Sequence, residues 1–344
     1  MTLGPIVMAI GAAALFGAAT PASKWLLTEL TPFQLAGLLY LGAALGVAPV
    51  AWRGGRSALP ARVDRANQGR LLGAILAGGI AGPVLLLIAL RMADAASVSL
   101  WLNFEVAATA LLGVLIFREH LGLLGWGGVV AAFAGAAILS LPGRTAGIEA
   151  GLLVLLACVC WGLDNHLTAL IDGITPSQST FWKGLAAGVT NAIIGVAMDP
   201  LVAAPALQLA ALLVGTLAYG ASIALYISSA QALGATRAQI AFASAPFFGV
   251  LFSVLALGES LIYAHLVAGA LFIAGITLFA FERHAHHHAH EAMDHEHEHR
   301  HDDGHHDHEH PGLPSGTVHT HRHRHEPMAH AHPHWPDLHH RHDH

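Results

Sequence analysis

The sequence predicts an all-α integral membrane protein, in which ten transmembrane helices form two inverted five-helix repeats, followed by a disordered C-terminal tail. The chain of 344 residues is 54% hydrophobic and only 11% charged, whereas a soluble domain usually has about 25% charged residues. Ten apolar segments have the length of about 20 residues that spans the hydrocarbon core of a bilayer. Short motifs of the first half also return in the second half.

The ten segments follow one another closely, with short connections that are rich in Gly, Pro and Asp. They are too long and too uniformly apolar for the strands of a soluble protein. The first is expected to be a retained span, because the basic flank of a signal peptide is missing. The predicted spans are Pro5–Leu26, Phe33–Ala51, Leu71–Leu90, Ala95–Phe117, Leu121–Leu141, Gly151–Ile171, Ser179–Met198, Leu209–Ser229, Ala238–Leu257 and Leu261–Phe281.

The second half repeats motifs of the first at matching positions along the spans. Because each half has an odd number of spans, the second copy must cross the bilayer in the opposite direction. Inverted repeats are the architecture of alternating-access transporters, so this pattern predicts a carrier. The motif pairs are Phe16-Gly17 with Trp161-Gly162, Thr31-Pro32 with Thr175-Pro176, and Glu119 with Glu259.

The repeat pattern divides the chain into residues 1–141, 142–283 and a tail of residues 284–344. By the positive-inside rule the side with most arginines is cytoplasmic. This places both termini in the cytoplasm and the protein in the inner or plasma membrane. The loop arginines after span two are Arg53, Arg56, Arg62, Arg65 and Arg70.

We find no nucleic-acid-binding module, P-loop, nucleophile elbow or zincin helix, so neither a nucleic-acid partner nor an enzyme is predicted. Small-residue helix faces permit a monomer or a homodimer.

The repeated motifs, together with Ala245-Pro246-Phe247 in span nine, resemble the EamA-type carriers of the drug/metabolite transporter superfamily. The resemblance extends from Pro5 to Phe281. It implies ten helices, inverted five-helix repeats and the carriage of small solutes such as amino acids, metabolites or toxic compounds. The first half has Glu105-Val106 where such carriers often have Glu-Pro, so each copy keeps one member of that pair.

Two carboxyl side chains inside the spans, Asp164 and Glu105, are the first candidates for a solute site. A charged group at the centre of a bilayer costs about 2.5–3.5 kcal/mol, and such groups face the bundle interior. Helical spacing gives each carboxyl an aromatic and a hydroxyl neighbour. The alternative is a pair of hydrogen-bonded carboxyls that only hold helices together. The predicted cavity residues are Trp161, Asp164, Asn165, His166 and Thr168 in span six, with Trp101, Asn103 and Glu105 in span four.

The other polar residues of the spans have structural interpretations. On an ideal helix His166 points away from Asp164, so a hydrogen-bonded interhelical histidine is expected rather than a joint ligand. Lys24 and Lys183 lie near helix ends and are predicted to snorkel to the headgroups rather than bind solute. Glu119 and Glu259 precede spans five and ten, where a carboxylate complements the positive end of a helix. Gly82-Pro83 is a predicted local break in span three.

The tail holds nearly all of the histidines. Of 27 in the chain, all but His120, His166 and His265 follow Arg283. Such a segment cannot form a core and is expected to be disordered, while its imidazoles suit Ni, Co, Zn or Cu. We predict a bound divalent transition metal there, although the carrier needs no cofactor; the alternative is a merely solubilising tail. The predicted ligands are His286, His287, His288, His295, His297, His299, His319, His321, His323, His325, His339, His340, His342 and His344.

Three functions remain open at this stage. The first is a secondary exporter of divalent metal ions that the tail supplies or senses, and the tail gives it a slight preference. The second is an EamA-type carrier of a small organic solute, with the tail as a metal buffer or regulator. It is supported by the low density of charges in the spans and by the absence of a His/Asp ladder. The third is a membrane-anchored metal sensor, which the duplicated body disfavours because a tether needs one helix.

Overall fold

The computed structural model describes residues 3–52, 64–116, 121–140, 147–171, 174–233 and 241–281 of the body, and 285–290, 293–299, 319–325 and 328–333 of the tail. The described body contains ten helices, which confirms the predicted all-α membrane fold. They are α1 (Leu3–Gly17 and Ala19–Leu26), α2 (Pro32–Ala51), α3 (Arg65–Met92), α4 (Ala95–Trp101 and Phe104–Leu115), α5 (Leu123–Leu139), α6 (Ile148–Ala169), α7 (Pro176–Met198), α8 (Pro205–Val214, Gly215–Ala221 and Ser222–Leu233), α9 (Ala245–Leu257) and α10 (Tyr263–Phe281).

Most of these helices can cross a bilayer. Within the described residues, eight are long and apolar enough to do so, and the other two, α5 and α9, are apolar helices of 17 and 13 residues. α9 begins after a turn at residues 243–244, and α4 has a corresponding turn at residues 102–103. The fourth helix of each repeat is therefore interrupted at about the same place.

The Thr-Pro motifs are the starts of α2 and α7. The hydroxyl of Thr31 accepts a hydrogen bond from the backbone N–H of Gln34, whose side-chain oxygen accepts one from the N–H of Thr31. Thr175 and Gln178 form the same reciprocal pair. These capping boxes satisfy N–H groups that a helix start leaves without a partner, and the following proline suits the first helical position.

The same glutamines show that the repeats are inverted. Nε2 of Gln34 donates to the carbonyl of Asp199 at the end of α7, at 2.9 Å, and Nε2 of Gln178 donates to the carbonyl of Ala51 at the end of α2, at 3.1 Å. Each helix therefore starts where its counterpart ends. α5 and α10 also run antiparallel, because Gly128 lies against Phe279 whereas Gly135 lies against Phe272.

We expect Gln34→Ala and Gln178→Ala to destabilise the protein by similar amounts, because each leaves a helix-end carbonyl without its side-chain donor. An unsatisfied buried polar group costs about 1–3 kcal/mol. Thermal unfolding of the purified protein in detergent measures the effect, with Gln68→Ala, an exposed glutamine of α3, as the control. A loss of stability in only one of the two glutamine variants would contradict the equivalence of the two ends.

A seven-residue π-helical segment replaces the α-helix in the middle of α3, at Ile75–Ala81, and of α8, at Gly215–Ala221. In α3 the N–H of Gly82 bonds to the carbonyl of Ala77, five residues earlier, and Pro83 has no N–H to donate. The carbonyls of Gly78 and Gly79 are therefore available to side chains of other helices. The break predicted at Gly82-Pro83 takes this form, and π-bulges are frequent at functional sites.

The described parts of the tail contain four strands, β1 (Ala285–His290), β2 (Met293–His299), β3 (His319–His325) and β4 (Met328–Pro333). β1 pairs with β4 and β2 with β3, both antiparallel. The sequence predicts disorder here; the strands coincide with the regular alternation of histidine with other residues, which has the period of a strand. A two-stranded ladder alone is marginally stable at best in water.

Candidate functional site

A buried ion pair joins α6 to α7 inside the bundle. Nζ of Lys183 lies 2.6 Å from Oδ2 of Asp164, with the side chains 19% and 6% exposed. The hydroxyl of Thr168, one turn further along α6, donates to Oδ1 of Asp164 at 2.9 Å. Both oxygens of the carboxylate therefore have a donor. The prediction that Lys183 snorkels is wrong, because a single helix pattern does not show which charge faces the lysine from a neighbouring helix.

The π-helical segment of α3 packs directly against this ion pair. The carbonyl of Gly78 accepts hydrogen bonds from the hydroxyl of Tyr40 at 2.6 Å and from the indole N–H of Trp161 at 3.1 Å. The side-chain amide of Asn191 donates to the carbonyl of Gly79 at 3.1 Å. Helices α2, α6 and α7 thus each send a side chain to the carbonyls that the π segment makes available.

Glycine is required at position 78 by the close approach of Asp164. A Cβ built on Gly78 would overlap Oδ2 of Asp164, and one built on Gly79 would come within 2.6 Å of the Cβ of Ala187. The ion pair therefore lies directly on the backbone of α3. Gly82, on the same helix, lies against the indole of Trp161 in the same way.

The second predicted carboxyl, Glu105, belongs to the same cluster. Its Oε1 accepts a hydrogen bond from Nδ2 of Asn165 at 3.0 Å, and the same amide lies 3.4 Å from the hydroxyl of Thr109. Glu105 also lies close enough to Asp164 and Lys183 for both charges to act on its carboxyl. Two carboxyls and one ammonium group therefore share one electrostatic site between α4, α6 and α7.

The structure separates three other predicted residues from this cluster. Nε2 of His166 lies 2.9 Å from the carbonyl of Thr109, an interhelical contact as expected. Trp101 is fully buried and donates to the carbonyl of Ala136 on α5, and Asn103 donates to the carbonyl of Leu100. Uninterrupted helical spacing predicts that Trp101 and Glu105 share one face of α4. This prediction is wrong, because the turn at residues 102–103 interrupts the helix.

Two further charged residues hold helix ends at the edge of the bundle. Nζ of Lys24 donates to the carbonyls of Leu90 and Ala93 at the end of α3, rather than extending towards headgroups. The carboxylate of Glu259 accepts from the backbone N–H groups of Ala95 and Ala96, both at 2.8 Å. It is a structural cap as expected, but of α4 and not of α10. Glu119 lies outside the described residues.

Sequence reasoning missed four contributors: Tyr40, Gly78, Lys183 and Asn191. Lys183 and Asn191 lie eight residues apart on α7 and share one helix face, so a polar stripe was present in the sequence. Nothing local marks Tyr40 or Gly78, since their role depends on the π segment. Across the described ranges, no three His, Cys, Asp or Glu side chains come together in a way that could hold a metal ion.

Inverted repeats that enclose a charged cluster define a multi-pass membrane protein of the transporter class. Residues 3–141 and 149–281 both match the EamA-like transporter family, and the chain belongs to that family. This agrees with the prediction of a non-enzymatic protein, and it confirms the resemblance seen in the repeated motifs.

Two known proteins are similar to this chain. An uncharacterized transporter of Methanothermobacter thermautotrophicus is 28% identical over 226 residues, which are 63% of this chain and 65% of that protein. The chain thus spans slightly less than two thirds of that relative's length. A crystal structure of a protein with 17% identity matches with a TM-score of 0.57, over 81% of this chain and 97% of the other, which shows a shared fold.

Proposed function

We propose that this chain is a secondary transporter that works by alternating access and carries a small organic solute with at least one charged group. The buried Lys183–Asp164 pair is the observation that carries the proposal. An ion pair in a low-dielectric interior is a weak source of stability, whereas it offers a charged solute two complementary partners. The proposed orientation is the one with the arginine-rich side in the cytoplasm.

The ion pair favours an organic solute over a metal ion as cargo of the body. Asp164 already has an ammonium group and a hydroxyl as partners, and a metal ion would have to approach next to the positive charge of Lys183. An organic solute with a carboxylate, an amine or both can replace one member of the pair without leaving the other unpaired. The slight preference for metal at the level of sequence rested on the tail together with Asp164, Glu105 and His166 in the spans.

Metal handling by the tail is the second candidate function. In the β2–β3 ladder the backbone register sets His295, His297 and His299 opposite His323, His321 and His319. This register therefore places six histidines at three directly paired positions of the ladder. In this version the body exports Ni, Co, Zn or Cu that the cytoplasmic tail supplies or senses. The predicted ligands His339, His340, His342 and His344 lie outside the described residues.

Replacing Asp164 by asparagine is expected to reduce transport at least about tenfold, because the loss of one partner of a buried charge pair costs about 2–5 kcal/mol. The measurement compares metabolite pools and transition-metal contents, by mass spectrometry, in cells that produce the wild type or the variant. Asp199→Asn, an exposed aspartate between α7 and α8, is the matched control.

A variant that lacks residues 284–344 separates the two candidates. Changes in an organic pool that require Asp164 and not the tail support the proposal. Changes in metal content that require Asp164 or the tail support the second candidate instead. If the wild type alters neither pool, the proposed transport does not occur.

A further inference from the structure

The two repeats place different chemistry at corresponding positions around the site. The motif pairs align α1 with α6 and α2 with α7, and this alignment matches Asp164 with Ala19 and Lys183 with Leu39. In the structure, Gly17 lies against Ala245 and Gly249 of α9, as Gly162 lies against Thr109 of α4. The same correspondence matches Glu105 with Ala245. Every charged member of the cluster therefore has an apolar counterpart.

Aromatic rings occupy the side of the bundle that corresponds to the charged cluster. Phe16, the counterpart of Trp161, packs edge-on against Tyr219 of the second π segment, with ring centroids 5.5 Å apart. Phe242 packs against Phe16 at 5.4 Å and against Tyr226 at 5.1 Å. Trp161 donates a hydrogen bond to the π segment of α3, whereas the ring of Phe16 has no donor and packs against the ring of Tyr219 in the π segment of α8.

Tyr40 connects the two sides. Its hydroxyl donates to Gly78 beneath the ion pair, and its ring lies 5.9 Å from the ring of Tyr219 at an interplanar angle of 34°. Phe16 and Tyr219 are partly exposed, whereas Tyr40 is buried. Tyr40 thus contacts both the charged cluster and the aromatic rings, so the two groups of residues are adjacent.

We infer that the transported solute is a small organic ion that carries an aromatic or similarly large apolar group, with Tyr219 and Phe16 as residues that determine this specificity. The inference rests on the proposed function. The charged group of the solute binds at Lys183 and Asp164, and its apolar group lies against the rings of Tyr219 and Phe16. Alternating access exchanges the conformations of the two repeats. Because Lys183 and Asp164 of this site both belong to the second repeat, the charged group of the solute stays bound to α6 and α7 during the whole transport cycle.

Transport into proteoliposomes of three matched pairs of probes tests the inference. Each pair shares a charge type and differs by a ring: phenylethylamine with ethylamine, phenylacetate with acetate, and phenylalanine with alanine. Rates are corrected for uptake into liposomes without protein. For at least one pair, the full-length wild type is expected to transport the member with the ring at least about tenfold more efficiently, the value that burial of one such group supplies.

Variants of this protein separate the contribution of the aromatic rings from that of the Lys183–Asp164 pair. Tyr219→Ala should bring the efficiency ratio of that pair close to one, while Tyr219→Phe, which keeps the ring, should preserve it. Tyr263→Ala, an exposed tyrosine of α10, is the matched control and should also preserve the ratio. Phe16→Leu provides a second, more conservative test should Tyr219→Ala not fold. Lys183→Met should abolish transport of both members of a pair that carries a carboxylate, and Asp164→Asn should abolish transport of both members of the amine pair.

Each outcome decides between the two proposals. Transport of probes by the wild type without preference for the ring, or a preference that Tyr219→Ala and Phe16→Leu leave unchanged, overturns this inference and leaves the proposed function standing. If the wild type transports none of the six probes above the liposome background, both this inference and the organic-ion cargo are wrong.

Discussion

Replacing Lys183 by methionine is expected to lower the free energy of unfolding by about 3 kcal/mol, at the lower end of the range for breaking a buried charge pair because the lysine is partly exposed. Among the described residues, the substitution leaves Asp164 with the hydroxyl of Thr168 as its one side-chain partner, on the backbone of Gly78 and near a second carboxyl. Transport of a solute that binds through a carboxylate should be lost as well, since the site keeps no positive group. Chemical or thermal unfolding in detergent and proteoliposome uptake measure the two effects.

The double variant Lys183→Met/Asp164→Asn makes this prediction specific. Removing both charges removes the cost of an unpaired one, so its stability should return to within about 1 kcal/mol of the wild type. Its transport should remain absent. A double variant that is as unstable as the sum of the single variants would show that the two charges are not energetically coupled, which would contradict a buried pair. Recovery of transport would exclude the pair from the solute site.

Replacing Gly78 by alanine is expected to displace the carboxylate of Asp164 and to abolish transport, even though only one methyl group is added. The new Cβ would overlap Oδ2 of Asp164, and the backbone of the π segment is fixed by Tyr40 and Trp161. Inserting a methyl group into a well-packed interior costs about 1–3 kcal/mol. Thermal unfolding and uptake are the measurements.

Gly69→Ala is the matched control, because it lies on the same helix and a Cβ there meets nothing within 4 Å. Since alanine is the better helix former, this control should be neutral or slightly stabilising. Wild-type transport by Gly78→Ala would mean that Asp164 can move away from α3 freely, which would contradict the close packing described here.

The membrane body could be predicted from the sequence because its signals are local. Apolar length indicates each span, and Thr31-Pro32 and Thr175-Pro176 mark helix starts whose capping boxes the structure contains. The inversion followed from an odd number of spans in each copy. Asp164 and Glu105 could be found because a carboxyl inside a span is costly, and this cost does not depend on knowing its neighbours.

The rest depended on contacts between helices, which a single sequence does not contain. The partner of Asp164 lies nineteen residues away on the next helix, and Lys183 had an equally good local interpretation near a helix end. Trp101 was wrongly predicted to line the cavity with Glu105, because the turn at residues 102–103 contains no Gly or Pro from which it could be predicted. Gly78 resembled any small packing residue until the π segment showed which side chains use its carbonyl.

The two glutamine bonds between α2 and α7 restrict how this protein can move. Sliding one helix past the other by a single turn, about 5.4 Å, would break both bonds at once and leave two helix-end carbonyls without donors. We therefore expect the α2–α7 pair to stay together during transport and the helices around it to move. Turns at residues 18, 102–103 and 243–244 interrupt α1, α4 and the segment before α9, and these turns are where we expect the helices to bend during that movement.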